Sequence, residues 1–576
     1  MKEPSTIDLS SEVTTSEIAP VRETDAINIP EKSWSEWAIA LLLFVGTCLY
    51  LRVFYNYTQM VRDEGFILQD AQRVLGGEVL YRDFFSFLTP GSYYWLAMLF
   101  KIFGDSILVA RAVLVMYGGT FSVLLYMLAR RVCSRTSAVL AVCMLMLTCL
   151  PSRFIVLHNW DSTFWTYLAI YSAVWLIQKP HWTLAGLTGF LGALTCLFEQ
   201  SKGGGLVLGL AVGLLILSFA RRGRLRWSLG RIVAMLAGFL GPFLVVFINF
   251  WTKHSVGVML ADWLWPLKNY SAVNKVPYGF LVFLNAGENV FTASGWGVRL
   301  ITALIISPFF WIPVLPFLFV CTLIFWTANG ERRMCSEGRR PYYILTSAII
   351  VGLIFSTVYT WRADFTHIAY LSPPMFLMVA WILDGRDIPS PLLRRLKPAL
   401  GLFLFVSCLG FGLMLLLGPL NSRHTLQTRR GDLKAAKADE VLDYVQAHVR
   451  PGEKMYIYPS FPIINYLTGT FNPTRHLELI PGVSTPRQFQ EAANELSADR
   501  TNQVLFEPSF RERMPPILPA ASPEIIASPD PVAEYIATHY RACASLTSQS
   551  FSNLIFMVRK DLNCPNDRTI QGPDQH

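Results

Sequence analysis

The chain has 576 residues; 53% are hydrophobic, 15% are charged, and the formal net charge is +9. The apolar residues lie in long runs, which excludes an ordinary soluble enzyme. The basic residues sit in short loops between those runs, a pattern of membrane orientation rather than of nucleic-acid binding, so no nucleic-acid partner is expected.

Residues 1–36 are polar and rich in Ser, Thr and Glu. They lack a basic leader and a cleavage site, and read as a disordered cytoplasmic tail. Crossing a bilayer takes about 20 apolar residues per helix. On that measure the sequence predicts about eleven crossings, at 37–54, 107–129, 137–157, 163–178, 183–198, 204–220, 231–251, 299–326, 342–360, 367–384 and 398–418. The 163–178 segment is short, and 299–326 is interrupted by Pro308, Pro313 and Pro316. The apolar stretch 90–104 contains Lys101 and, at about 14 residues, is too short to span. It reads as an interfacial or re-entrant helix.

Arg130-Arg131, Arg221-Arg222, Arg332-Arg333 and Arg394-Arg395 alternate with less basic loops. By the positive-inside rule the N-terminus is cytoplasmic and the tail after the last span extracytoplasmic. The expected fold class is a polytopic α-helical membrane protein of the plasma (inner) membrane. Its transmembrane domain covers 37–418, and a small extracytoplasmic α/β domain covers 419–576. In that tail KAAKADEVLDYVQAHV reads as helix and MYIYP as strand; PRQFQEAANELSADR and DPVAEYIATHY follow as helices, QVLFEP and SNLIFMVRK as strands. Cys543 and Cys564 are the only cysteines of the tail, and an oxidising compartment would permit a disulfide between them.

Polar clusters gather at the outer ends of the spans. The first outer loop carries Asp63, Glu64, Arg73, Tyr81, Arg82, Asp83 and the Thr89-Pro90-Gly91 turn. Later loops carry His158, Asn159 and Asp161, then Glu199 and Lys202 ahead of three glycines, then Asp262, Trp263, Trp265 and Lys268, and finally Arg362, Asp364 and His367. Each has a plain structural reading. Asp63 and Glu64 can end a helix, and His158-Asn159 can be a loop hydrogen-bonding pair. The tryptophans fit an aromatic belt, and Gly203–Gly205 fit close helix packing. Glu199 and Lys202 can pair at i,i+3, and Arg362, Asp364 and His367 can form a local ion network. Their shared side of the membrane argues for a common site, since charge near lipid is costly.

The run A-x-x-V-L-x-G-x-x-x-Y-R-D-F (71–84), then T-P-G-x-Y-Y (89–94), F-G-x-S (103–106) and Arg111 follow the acidic pair. With the R-A-D-x-x-H element at 362–367, this resembles the GT-C class of polytopic glycosyltransferases, in the protein O-mannosyltransferase and lipid A aminoarabinose transferase branch. The resemblance covers about 37–220. It implies a polyprenyl-phosphate sugar donor, transfer on the outer face with inversion, and an acidic base in the first outer loop, here Asp63 with Glu64 beside it. Leu88-Thr89 stands where the aminoarabinose branch has an acidic-basic pair, which argues against that donor sugar.

An inverting transfer needs a carboxylate to take the acceptor proton and cations to hold the leaving phosphate. Desolvation is expected to raise the pKa of the base. Lys202, Arg362 and Arg82 are the candidate phosphate ligands. His158, Asn159, Asp161, Glu199, Asp364 and His367 are the candidate substrate contacts. A divalent metal bridging Asp63, Glu64 and the phosphate is left open. The acceptor is a glycan, lipid or protein. The alternatives are a transporter or flippase of a lipid-linked intermediate, and a membrane scaffold whose outer domain binds a partner.

Overall fold

The structure is a computed structural model. It describes residues 34–220, 229–270, 275–280, 339–356, 362–386, 391–514, 522–548 and 553–565, with isolated positions between 296 and 320 and at 518 and 520. The tail 1–33, most of the predicted span 299–326 and much of the loop before it lie outside the described residues.

The chain opens with α1 (Trp34–Leu51), α2 (Arg62–Leu75), α3 (Gly91–Phe103), α4 (Ile107–Ala129), α5 (Arg135–Ser152), α6 (His158–Gln178), α7 (Trp182–Phe198), α8 (Gln200–Ala220), α9 (Leu229–Thr252) and α10 (Val256–Trp265). Strand β1 (Val276–Phe280) pairs in parallel with β2 (Arg362–Asp364), and α11 (Arg340–Ile354) lies between them in sequence. Then come α12 (Phe365–Asp384) and α13 (Pro391–Asn421). Seven of the described helices are long and apolar enough to cross a membrane: α1, α4, α5, α8, α9, α12 and α13. The 163–178 segment begins earlier than expected, at His158, and makes a helix of 21 residues. Its first turn, His158-Asn159-Trp160-Asp161, is polar, so hydropathy hid it.

Caps set the helix starts. Ser106 accepts from Leu108 N ahead of α4, Ser134 from Ser137 N ahead of α5, and Asp364 from His367 N ahead of α12, each satisfying an amide the helix leaves unpaired. At one end of the bundle Glu36 of α1 holds Tyr126 (2.5 Å), Arg130 (3.1 Å) and Arg135 (2.7 Å). Between α8 and α11 a side chain on Gly205 would land 2.5 Å from Gly352 O, so these glycines serve close backbone packing.

At the other end the chain continues as an α/β layer. A hairpin of β3 (His424–Leu426) and β4 (Leu433–Ala435) leads to α14 (Glu440–His448), β5 (Met455–Tyr458), α15 (Pro462–Thr468), α16 (Pro486–Asp499), β6 (Gln503–Phe506), α17 (Pro523–Ile526), α18 (Pro531–His539), β7 (Tyr540–Leu546) and β8 (Leu554–Arg559). The sheet order is β5-β6-β8-β7, with β5 and β6 parallel and the other pairs antiparallel. Cys543 and Cys564 form a disulfide.

The layer is bonded to the bundle at many points. Thr58 N donates to Lys434 O (2.9 Å), Ile107 N to Arg430 O (2.9 Å), Tyr466 Oη to Asp105 O (2.9 Å) and Arg73 Nη1 to Thr474 O (2.9 Å). Helix α2 lies between the two parts. Gly65 touches the layer so closely that a Cβ would fall 2.0 Å from Ile463 N, while the next turn buries Ile67, Leu68 and Ala71.

Candidate active site at the rim of α2

Helix α2 starts at Arg62, so Asp63 and Glu64 are successive helical residues and diverge by about 100°. Glu64 points inward. Its oxygens accept from Arg111 Nε (2.9 Å), Arg111 Nη2 (2.7 Å) and Val156 N (3.1 Å), and both partners' side chains are 1% exposed. Arg111 also donates to Tyr57 O at 2.6 Å. This bidentate pair joins α2, α4 and the α5–α6 turn. The two carboxylates therefore do not form a shared face for a divalent ion. Among the described residues no three His, Cys, Asp or Glu side chains cluster as metal ligands.

Asp63 points the other way, with 42% of its side chain exposed. Its Oδ2 accepts from Arg153 Nη2 at 2.8 Å, and Arg62 Nε stands 3.9 Å from Oδ1. Burial pushes its carboxyl up, but the charges of Arg153, Arg62 and Arg362 more than reverse that and hold it below the ordinary aspartate value. The expected upward shift is thus corrected: flanking cations outweigh desolvation.

Arg153 was not among the sequence candidates. It fell inside the predicted span 137–157, and a charge there was itself a signal. It follows the last turn of α5, donates to Tyr370 Oη of α12 (3.3 Å), and is 8% exposed. Arg362, whose charge also acts on Asp63, pairs with Asp364, which also takes His367 Nδ1 at 2.7 Å. Burial raises the Asp364 carboxyl; His367 and Arg362 override that and hold it well below its ordinary value.

The remaining candidates are drawn into buried ties. Lys202 Nζ donates to Asn159 O (2.8 Å), Ser162 Oγ (2.8 Å) and Thr163 Oγ1 (2.9 Å), and pairs with Glu199 at 3.0 Å. Glu199 also accepts from Asn159 Nδ2 (3.1 Å) and Ser162 Oγ (2.6 Å). Asp161 accepts from Ser92 Oγ (2.6 Å) and Tyr117 Oη (3.0 Å), tying α6 to α3 and α4. His158 lies within the fields of Glu199, Lys202, His367 and Asp63. Its Nδ1 is buried with no hydrogen-bond partner among the described residues. It therefore stands between the buried knot and the rim. Arg82 is elsewhere: half exposed, it pairs with Asp83 at 2.8 Å on the loop after α2. The Thr89-Pro90-Gly91 turn packs on the α7–α8 junction, where Gln200 Nε2 donates to Phe87 O (2.8 Å).

The comparisons agree with this architecture. Residues 88–250 match the family model described as dolichyl-phosphate-mannose-protein mannosyltransferase. No curated protein sequence matches significantly. Among solved structures, ArnT from Cupriavidus metallidurans in the apo state superposes with a TM-score of 0.52 at 12% identity, covering 91% of this chain and 98% of that one. The same protein bound to undecaprenyl phosphate gives 0.50 at 12% identity, covering 91% and 97%. The chain thus shares the fold of the GT-C membrane glycosyltransferases, and over residues 88–250 it resembles their mannosyltransferase branch in sequence.

Proposed function

We propose that this protein is a membrane glycosyltransferase. It moves a sugar from a polyprenyl-phosphate donor to a hydroxyl of a glycan, lipid or protein on the extracytoplasmic side, with inversion. In this reading the chain crosses the plasma membrane about eleven times, its N-terminus is cytoplasmic, and the α/β layer roofs the site outside. The observation that carries the proposal is Asp63: a half-exposed, ionised carboxylate fixed by Arg153 on the rim between bundle and layer.

Asp63 takes the acceptor's proton as the hydroxyl oxygen bonds to the anomeric carbon. The bond from that carbon to the phosphate oxygen breaks, and its electron pair leaves with polyprenyl phosphate. Arg153 and Arg362 stabilise that anion. Lys202 and Arg82 are not carried into the phosphate cradle, because the first is saturated in the buried knot and the second is paired with Asp83 on the loop after α2. The undecaprenyl phosphate held by a protein of the same fold supports a polyprenyl donor.

The test uses the purified chain in proteoliposomes with tritiated undecaprenyl-phosphate mannose. Asp63→Asn should cut turnover by about 10²–10⁴-fold while lowering the melting temperature only slightly, because the side chain is partly exposed and an amide oxygen can still accept from Arg153. A fully active, well-folded Asp63→Asn protein rejects Asp63 as base. Translocation of the lipid without sugar transfer rejects the enzyme in favour of a flippase.

A further inference from the structure

The loop between α15 and α16 brings a second carboxylate to the rim. Glu478 Oε2 accepts from Ser460 Oγ at 2.8 Å and stands 4.0 Å from Arg62 Nε. Arg62 Nε is also 3.9 Å from Asp63, so one guanidinium spans carboxylates from the bundle side and from the layer. The loop is fixed behind Glu478: Leu479 N donates to Pro459 O at 3.0 Å, and Ser460 is fully buried. Glu478 itself keeps 21% of its side chain exposed. The two acids differ in electrostatic setting. Burial raises the Glu478 carboxyl; Arg62 draws it down less than burial raises it, and the charge of Asp63 adds to the rise.

A carboxylate repels the phosphate of the donor, and the donor's lipid must enter from the bundle. A glycan or protein acceptor would reach the site from water, across the layer. Building on the glycosyltransferase reading, we propose that Glu478 is the acceptor-side residue of the transfer site. Its free oxygen face receives a hydroxyl of the acceptor and so holds the acceptor beside Asp63. The α/β layer is then part of the site, and it sets which hydroxyl compounds are used.

The closing experiment uses the full chain with two probes. The first is undecaprenyl phosphate alone, read by thermal shift. The second is tritiated undecaprenyl-phosphate mannose, with a hydroxyl-rich acceptor panel of Ser/Thr peptides and oligosaccharides. Glu478→Ala should leave the lipid-phosphate affinity within about twofold while raising the acceptor KM about tenfold or more with little change in kcat, as expected for a lost binding contact. Glu478→Gln, which can still accept a hydrogen bond, should recover most of that KM. Arg153→Ala supplies the contrast, weakening undecaprenyl phosphate about tenfold. Unchanged acceptor KM in Glu478→Ala overturns the inference, and so does a loss of lipid-phosphate affinity matching Arg153→Ala. A wild-type chain that neither binds undecaprenyl phosphate nor turns over the labelled donor overturns the underlying enzyme reading instead.

Discussion

Two polar clusters lie close together in this molecule and differ in kind. In the knot between α6 and α8, Lys202 and Glu199 pair with each other, share Asn159 and Ser162 as partners, and are almost fully buried. At the rim, Asp63 and Arg153 meet with the carboxylate half exposed. A buried, fully bonded ion pair holds helices in register and has no capacity left for a ligand. A fixed, ionised and accessible carboxylate can exchange a proton. Glu64 and Asp63 repeat the contrast within two consecutive residues, one anchoring α2 to Arg111 and the other facing outward.

The strongest way to break this comparison is to exchange the expected phenotypes. Asp63→Asn should lose about two to four orders of magnitude in turnover at a small cost in stability. Lys202→Met should do the opposite, leaving Glu199 buried without its cation at a cost of roughly 3–5 kcal/mol, read by thermal unfolding in detergent. Adding Glu199→Gln to Lys202→Met should restore part of that stability, since the orphan charge is then gone. A Lys202→Met protein that melts normally but no longer binds undecaprenyl phosphate would return Lys202 to the phosphate cradle.

The rim also makes a pH prediction. Asp63 is held low by its arginines, so its stabilising ionised form is present above its unfolded pKa and is lost only as pH falls through the lowered folded value. Turnover should therefore keep its Asp63-dependent activity down to acid pH. Arg153→Ala removes the closest cation, and the acid limb of kcat should move upward. A limb that stays in place would show that Arg153 does not tune Asp63.

The sequence foretold the helices better than it foretold their partners. Ten of the predicted spans lie on described helices, because long apolar runs carry their own signal. The stretch 90–104 is the helix Gly91–Phe103. Part of the polar set comes within electrostatic range of His158, namely Asp63, Glu199, Lys202 and His367. Three features escape a reading of local pattern and hydropathy. The divergence of Asp63 from Glu64 depends on α2 being helical from Arg62 onward, in a segment of low hydropathy. Arg153 was absorbed into an apolar run. Glu478 lies more than 400 positions from Asp63 in the chain, and its loop reaches the rim through long-range contacts such as those of Gly65 with Ile463 and of Arg73 with Thr474. Long-range docking of that sort leaves no local pattern.

Smaller effects sharpen the comparison at its edges. The Cys543–Cys564 bridge joins positions 21 apart, and cutting a loop of that size should cost the layer about 3 kcal/mol. Cys564→Ser should lower the melting temperature of the layer while room-temperature transfer stays within about twofold, because the bridge lies by β7 and β8, away from the α15–α16 loop.

Arg82→Ala should do least of all. Arg82 is half exposed, and its bond runs to the neighbouring Asp83, whose Oδ2 also accepts from Val79 N at 2.7 Å. The loop thus keeps a tie when the guanidinium is gone, and a solvent-screened pair of this type contributes little. Undecaprenyl phosphate affinity and transfer rate should both stay within about twofold of wild type. A tenfold loss of lipid-phosphate affinity in Arg82→Ala would mean that the leaving anion is held over the loop after α2 rather than between Arg153 and Arg362. The division between a structural loop and a reactive rim would then have to be redrawn around Tyr81, Arg82 and Asp83.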